Sequence, residues 1–466
     1  AREVVAHPAL AAKIRSARLP GMISRVVYPS LLSLASLTFL TPSLQAQTPK
    51  QAEQPATEEG WSKAWSVKPD PAFAEPEKKG PRGSSPPSLG AEVRPRVETR
   101  RTDDTWSEVM SYRVRLDVSG RVGRLEGFIQ PQASGVYGLT GTRNLNTPGI
   151  GIFQAYLRYG EERLNVQAGR FQITYGEELV WSRAEWNQIG RASDGVRIHG
   201  VPFEGLAIDA FGVKYANFPD INGVTEPAYT FDSYMGALVV QLEPSLLAPA
   251  MQEIDVYALR DHRSTPTNYD GPNRDRITAF GTRLKGKWSL VDARLEVVGQ
   301  VGDNCTLALA DNQSAECVDY EDVRQRRGFM GEAEVGVALI DTLRLELGGI
   351  YASGDDETTE DVIEAYDPLY AAAHRHLGLA DIFRRTDIFQ ARTGLTFDNK
   401  RVMLDLMAHH FWDAALDPRG LEVDVTARYK FKDGLTLQTG FSHLFPTSSD
   451  QVAVTWAYLQ AIAAFR

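Results

Sequence analysis

The sequence predicts an all-β fold: a transmembrane antiparallel up-and-down β-barrel of about 18 strands, with short periplasmic turns and long extracellular loops. Three observations predict it. Segments of about ten residues alternate apolar and polar side chains. The links between them alternate short and long. The single long apolar run lies near the N-terminus and is short for a bilayer crossing.

Successive side chains of a strand point to opposite faces. SYRVRLDVSG puts Tyr112, Val114, Leu116 and Val118 on one face and Arg113, Arg115 and Asp117 on the other. LEVDVTARYKFK sets Leu421, Val423, Val425, Ala427, Tyr429 and Phe431 against Glu422, Asp424, Thr426, Arg428, Lys430 and Lys432. ARLEVVGQV and LRLELGGIY repeat the pattern. A soluble sandwich alternates too, so the links decide. SGRVG is followed by YGLTGTRNLNTPG, GVPFEG by KYANFPDINGVTEPAYTF, and IDT by the segment 353–385. An even number of strands closes the wall with both ends periplasmic and leaves no edge of unpaired backbone in lipid. Tyr112, Phe153, Tyr159, Trp288, Phe397, Trp412, Phe441 and Trp456, near strand ends, suit interfacial girdles or simple packing.

The 466 residues are 43% hydrophobic and 24% charged, with a formal charge of -10 and no basic domain, which argues against a nucleic-acid partner. Residues 1–46 read as a secretory signal: Arg25, the apolar run from Val26 to Leu40, then a small residue at Ala46, with Met22 a plausible true start. Residues 47–90, rich in Pro, Glu, Lys and Ser, read as a disordered periplasmic linker, and 91–466 as the barrel. An exported chain meets an oxidising compartment, so Cys305 and Cys317 are expected to pair; free thiols are the alternative.

If the apolar faces meet lipid, the opposite faces line the lumen. Arg113, Arg115, Arg124, Arg158, Arg163, Arg197, Arg283, Arg294, Arg344, Arg392, Arg428, Lys285, Lys287 and Lys430 are then inward. So are Asp117, Glu126, Glu296, Glu332, Glu334, Glu346, Asp405, Glu422 and Asp424, leaving a basic surplus inside an acidic chain. A low-dielectric wall focuses such charge, and Arg grips carboxylates bidentately, so anionic solutes are favoured. Equally, Arg and Glu could simply pair across the wall. No metal-ligand spacing, phosphate loop or nucleophile elbow appears, so neither cofactor nor enzyme activity is expected. His409 and His410 point to opposite faces, and the His374–His376 pair lacks further ligands. A non-conducting adhesion barrel and a barrel hydrolase are the other classes.

Between two clean strands lies GRFQITYGEELVWSRAEWNQIGRASDGVRIHG, Gly169 to Gly200, with a charged, aromatic middle. Arg183, Glu185, Arg191 and Trp186, with Glu178 on the same stretch, can stay at membrane depth only if they face water or protein. With Arg170 and Asp194 they form a candidate constriction. This stretch resembles the alginate-export family of outer-membrane barrels in its Gly169-Arg170 strand end, Tyr175–Glu178, Trp186–Arg191 and Asp194–Arg197. A second stretch is similar to that family's loop through Asp367, Pro368, Leu369, Tyr370, His374, Gly378 and Asp381. The resemblance implies an 18-stranded monomer that passes an anionic polysaccharide through an Arg-lined lumen. The expected partners are outer-membrane lipid and lipopolysaccharide, an anionic polysaccharide or small anionic solute, and periplasmic secretion components. The substrate, the direction of transport and any plug stay open, with a general diffusion porin as the alternative.

Overall fold

In the computed structural model the described residues are 85–137, 149–215, 234–244, 249–267, 271–306 and 323–465, except 357, 360, 373, 375, 433 and 448–450. Of the cysteines, Cys317 and the Cys305 side chain lie outside them, as do the expected signal and nearly all of the linker.

The strands are β1 (Ser85–Thr102), β2 (Thr105–Val122), β3 (Leu125–Tyr137), β4 (Gly149–Glu161), β5 (Leu164–Phe171), β6 (Ser193–Phe203), β7 (Leu206–Tyr215), β8 (Tyr234–Leu242), β9 (Met251–Thr267), β10 (Gly271–Trp288), β11 (Val291–Thr306), β12 (Val323–Ile340), β13 (Leu343–Ala352), β14 (Val362–Ile363), β15 (Ile388–Asp398), β16 (Val402–Trp412), β17 (Pro418–Lys430), β18 (Leu435–Pro446) and β19 (Val454–Phe465). Of these, β14 is a two-residue piece lying parallel to β12. The other eighteen pair antiparallel with their neighbours in chain order, β13 passing directly to β15, and β1 closes the wall against β19. Closure pairs every strand edge, as the hydrocarbon layer demands. Among the described residues no helix is long and apolar enough to cross a membrane; the strands make the crossing.

The alternation in the sequence becomes the two faces of this wall. Leu116, Val118, Leu406, Val425, Phe441 and Leu459 are exposed on the outside, while Arg113, Arg115, Asp424 and Glu422 are buried inside. β1 begins at Ser85, six residues into the stretch read as linker. Phe153 and Trp456 are not girdle residues. Both are buried and inward, Phe153 beneath the Arg115 guanidinium at 3.9 Å and Trp456 against Tyr458. Arg124 and Arg163, expected in the lumen, sit in exposed turns between strands.

Links alternate by side. Residues 123–124, 162–163, 204–205, 289–290 and 341–342 turn on the side that carries both ends of the barrel, the periplasmic side. The long links 172–192 and 353–387 lie on the other side, and both fold into the lumen rather than standing above it. A shared apolar core shows this: Leu179, Val180 and Trp181 of the first, with Tyr366, Leu377, Ala380 and Phe383 of the second, pack on Phe211, Tyr257, Met330, Ile350 and Phe411 of the wall.

Candidate functional site

The two inserted links grip each other through backbone. Trp181 and Tyr370 form a parallel bridge, with Ser182 N–H donating to the Tyr370 carbonyl at 2.9 Å and Tyr370 N–H to the Val180 carbonyl at 3.2 Å. Arg191 donates to the Ser182 carbonyl at 3.0 Å and also to that of Tyr370. Glu178 lies near Arg183 at 3.4 Å and accepts from the Ser182 hydroxyl. Arg183, Arg191 and Glu178 thus brace the inserted link.

The second link is tied by its motif residues. The Asp367 carboxylate meets Arg263 at 2.7 Å and accepts the Leu369 N–H at 2.7 Å, while Tyr370 donates its hydroxyl to Asp261 at 2.8 Å. His374 pairs with Asp381 at 2.8 Å and stacks on Trp186 with ring centroids 4.0 Å apart, bringing the two links together a second time. Gly378 has φ +88, and a Cβ there would lie 2.3 Å from Glu422 Oε1; Gly190 has φ +75, with Arg115 Nη2 and Phe153 Cζ each 2.8 Å from a Cβ. Both glycines of the motifs are therefore required by conformation and by close approach.

Opposite Trp186, β1 and β2 present four stacked guanidinium groups: Arg94, Arg96, Arg113 and Arg115. Arg94 donates to the Glu185 and Asn187 carbonyls at 2.7 and 2.8 Å and to Gln188 Oε1 at 2.9 Å. Arg96 donates to the Trp186 carbonyl at 2.7 Å and lies 4.2 Å from the Trp186 ring centre. Arg115 reaches Glu185 at 2.8 and 3.2 Å, and Arg113 bridges Glu185 and Glu92. Burial alone would raise the Glu185 pKa, but Arg115, Arg113 and Arg94 outweigh it and hold the carboxyl well below its usual range.

Roughly halfway around the wall lies a network of the other sign. Arg392 contacts Glu332 and Glu334 at 2.7 Å and Glu346 at 3.3 Å, and Arg344 contacts Glu346 at 2.6 Å and Asp292 at 2.7 Å. Arg294 joins Glu332 at 3.2 Å to Glu177 of the inserted link at 2.8 Å. Arg283 meets Asp255 and Glu253 at 2.8 Å. Among the described buried residues, carboxylates outnumber guanidinium groups thirteen to ten, so the expected basic surplus is reversed. Asp209, Asp255 and Asp261 on the wall, with Glu177 and Glu178 carried in by the first link, make the difference.

Other residues fall elsewhere. Arg158 pairs with Glu126 at 2.8 Å and Arg197 with Asp209 at 2.8 Å on the inner face of the periplasmic half, and Arg428 touches Met403 there at 3.0 Å. Arg170 and Asp194 pair at 2.7 Å but not in the lumen. Arg170 shares the face of Leu164 and Val166, and Asp194 that of Val196 and Ile198, all exposed outward. Strand alternation excludes both from a constriction. Arg94, Arg96, Glu92 and Gln188 escaped the sequence reading, although Val93, Pro95 and Val97 alternate with the two arginines. Among the described residues no three His, Cys, Asp or Glu side chains are grouped to hold a metal ion.

A closed eighteen-stranded barrel with an apolar exterior and a charged, loop-filled interior defines an outer-membrane barrel of the porin type, set in the outer membrane of a Gram-negative bacterium. The alginate export family model matches residues 88–419, and the chain belongs to that family. Solved structures of Pseudomonas aeruginosa porins share the fold. OccK2 (OpdF), in complex with glucuronate, has TM-score 0.57 and 11% identity over 81% of this chain and 98% of its own. OpdK with vanillate has TM-score 0.55 and 8% identity over 81% and 99%. OccD3 (OpdP) has TM-score 0.54 and 13% identity over 86% and 97%. No curated protein matches the chain.

Proposed function

We propose that the barrel is a passive outer-membrane channel for anionic saccharides, uronates of the alginate type among them, with the β1–β2 arginines as the selective wall. One observation carries this reading. Glu185, a carboxylate with a side chain 24% exposed, already sits on Arg113 and Arg115 in the geometry that a uronate carboxylate would use. The acid network on the far side sets up a field across the lumen, which orients a solute whose charge is at one end. The complex of OccK2 with glucuronate supports the same solute class. The narrowing by two inserted links favours mono- and oligosaccharides over a free-running polymer.

The test is planar-bilayer recording of the purified protein in a salt gradient, with glucuronate and oligouronates added to either side. Anion-selective current blocked by uronates is expected. Cation preference without block would overturn the reading in favour of a general diffusion pore, for which the acid surplus argues. Absence of channels would favour an adhesion barrel.

A further inference from the structure

At its extracellular end the outer face of β9–β12 does not stay apolar. On β10 the residues of even number point outward, since Phe280 and Trp288 are exposed while Ile277 and Ala279 are fully buried. Arg276 therefore faces outward. By the same alternation Arg260 lies outward with Val256, and Arg327 with Phe329. Register sets them side by side. Arg260 pairs with Thr278, Arg276 with Asp303, and Val301 with Arg327. Arg260 and Arg327 are three strands apart, about 14 Å at the usual strand spacing, and Arg276 sits one row above, between them. Asp303 is the one carboxylate among the described residues of this patch.

Height settles what the patch meets. From Trp288, at the periplasmic rim, to Thr278 is ten residues; at about 3.3 Å each and a tilt near 40° this rises about 25 Å, the height of the apolar band. Arg260 and Arg327 thus mark its upper edge, and Arg276 stands in the headgroup layer. Elsewhere on the same rim, outward arginines sit beside carboxylates: Arg101 near Asp104 at 3.5 Å, Arg170 on Asp194 at 2.7 Å, and Arg419 on Asp387. Arg260 and Arg327 instead donate to neutral oxygens, of Thr278 at 2.6 Å and Gln325 at 3.0 Å.

We propose that Arg260, Arg276 and Arg327, with Val301 level with the lower two and Phe280 and Phe329 beneath them, form a docking site for the phosphorylated headgroup of an outer-leaflet glycolipid. The guanidinium groups take the phosphates bidentately and the apolar residues below take the acyl chains. The site lies outside the lumen and does not depend on which solute is transported.

The full chain, purified in detergent, is titrated with bisphosphorylated lipid A, its dephosphorylated form and inorganic phosphate, and bound lipid is read by native mass spectrometry. Wild type should hold lipid A. The triple variant Arg260→Gln/Arg276→Gln/Arg327→Gln should bind it about tenfold or more weakly, the scale of losing charge-assisted bonds, and the triple Lys variant should recover part of the loss. Dephosphorylated lipid should bind weakly to all. Heat-modifiable migration reports folding, and Arg276→Gln alone serves if the triple variant does not fold. Equal binding by the Gln variant, equal binding of dephosphorylated lipid, displacement by inorganic phosphate alone, or no lipid held by wild type would each overturn the site. Channel current should be unchanged in the variants, so the outcome is independent of the proposed transport.

Discussion

On β1 and β2, Arg96, Arg113 and Arg115 share the carboxylates of Glu92, Glu98 and Glu185, and Arg94 beside them donates to carbonyls of the link. About half a turn around the wall, Arg294, Arg344 and Arg392 share those of Asp292, Glu332, Glu334, Glu346 and Glu177. Each arginine of the first set gives at least one donor to a main-chain carbonyl among residues 185–187 and 189. The second bonds side chain to side chain along the wall. Carbonyl oxygens of a bent link can be satisfied only by donors, so the side that receives the link must be rich in arginine. Beyond it the second link presents N–H groups, and there acids receive it: Asp424 accepts from Leu379 N–H at 3.0 Å and Glu422 from Ala380 N–H at 2.9 Å. The sign of the wall charge thus follows which backbone group the inserted segment turns toward it, while Glu332, Glu334 and Glu346 also cross-link strands.

The largest break in this contrast is Arg392→Ala. It takes one arginine from three buried carboxylates, Glu332, Glu334 and Glu346, and leaves them Arg294 and Arg344; removing one partner of a buried charge network costs about 3–5 kcal/mol. The expected outcome is a marked fall in the urea concentration at which heat-modifiable migration is lost, and a change near zero would remove the bracing role. Next comes Gly378→Ala, which forces a left-handed backbone and a contact with Glu422, a strain of about 1–3 kcal/mol. It should free the second link, read as noisier single-channel current with the wall still folded.

Glu185→Gln should lower that urea concentration by less than Arg392→Ala, because the Gln amide oxygen still accepts from Arg113 and Arg115. It removes one negative charge from the Arg wall, and a charge at about 4 Å in water acts with about 1 kcal/mol, roughly fivefold in anion-to-cation permeability; an unaltered ratio would place the solute path elsewhere. The smallest effect is on pH. The folded pKa of Glu185 lies below the ordinary 4.5, so its stabilisation is present above the unfolded value and lost only as pH falls through the depressed one. Hydrogen-exchange protection of residues 185–189 should hold steady from neutral pH down to that ordinary value, and its loss above that value would show that the Glu185 contact is not what holds the link.

Much of the wall was legible because lipid on one side and water on the other impose a period of two. The positions of the inserted links were not. A long polar connection reads the same whether it stands in solvent or folds inward, and only Trp181, Tyr366 and Phe383, apolar residues without a strand to serve, hinted at burial. Arg170 was misplaced because its charge was weighed above its parity with Leu164 and Val166. Arg94 and Arg96 were overlooked because Pro95 and the neighbouring Pro-rich stretch masked a strand in which proline merely takes an outward position.

The bridge between Trp181 and Tyr370 also bears on biogenesis. It joins a segment emerging from β5 to one emerging from β13, so neither can reach its final place until both hairpins stand in the wall. A half-assembled barrel is therefore wider inside, and the lumen narrows only once the strands that flank both links have joined the wall.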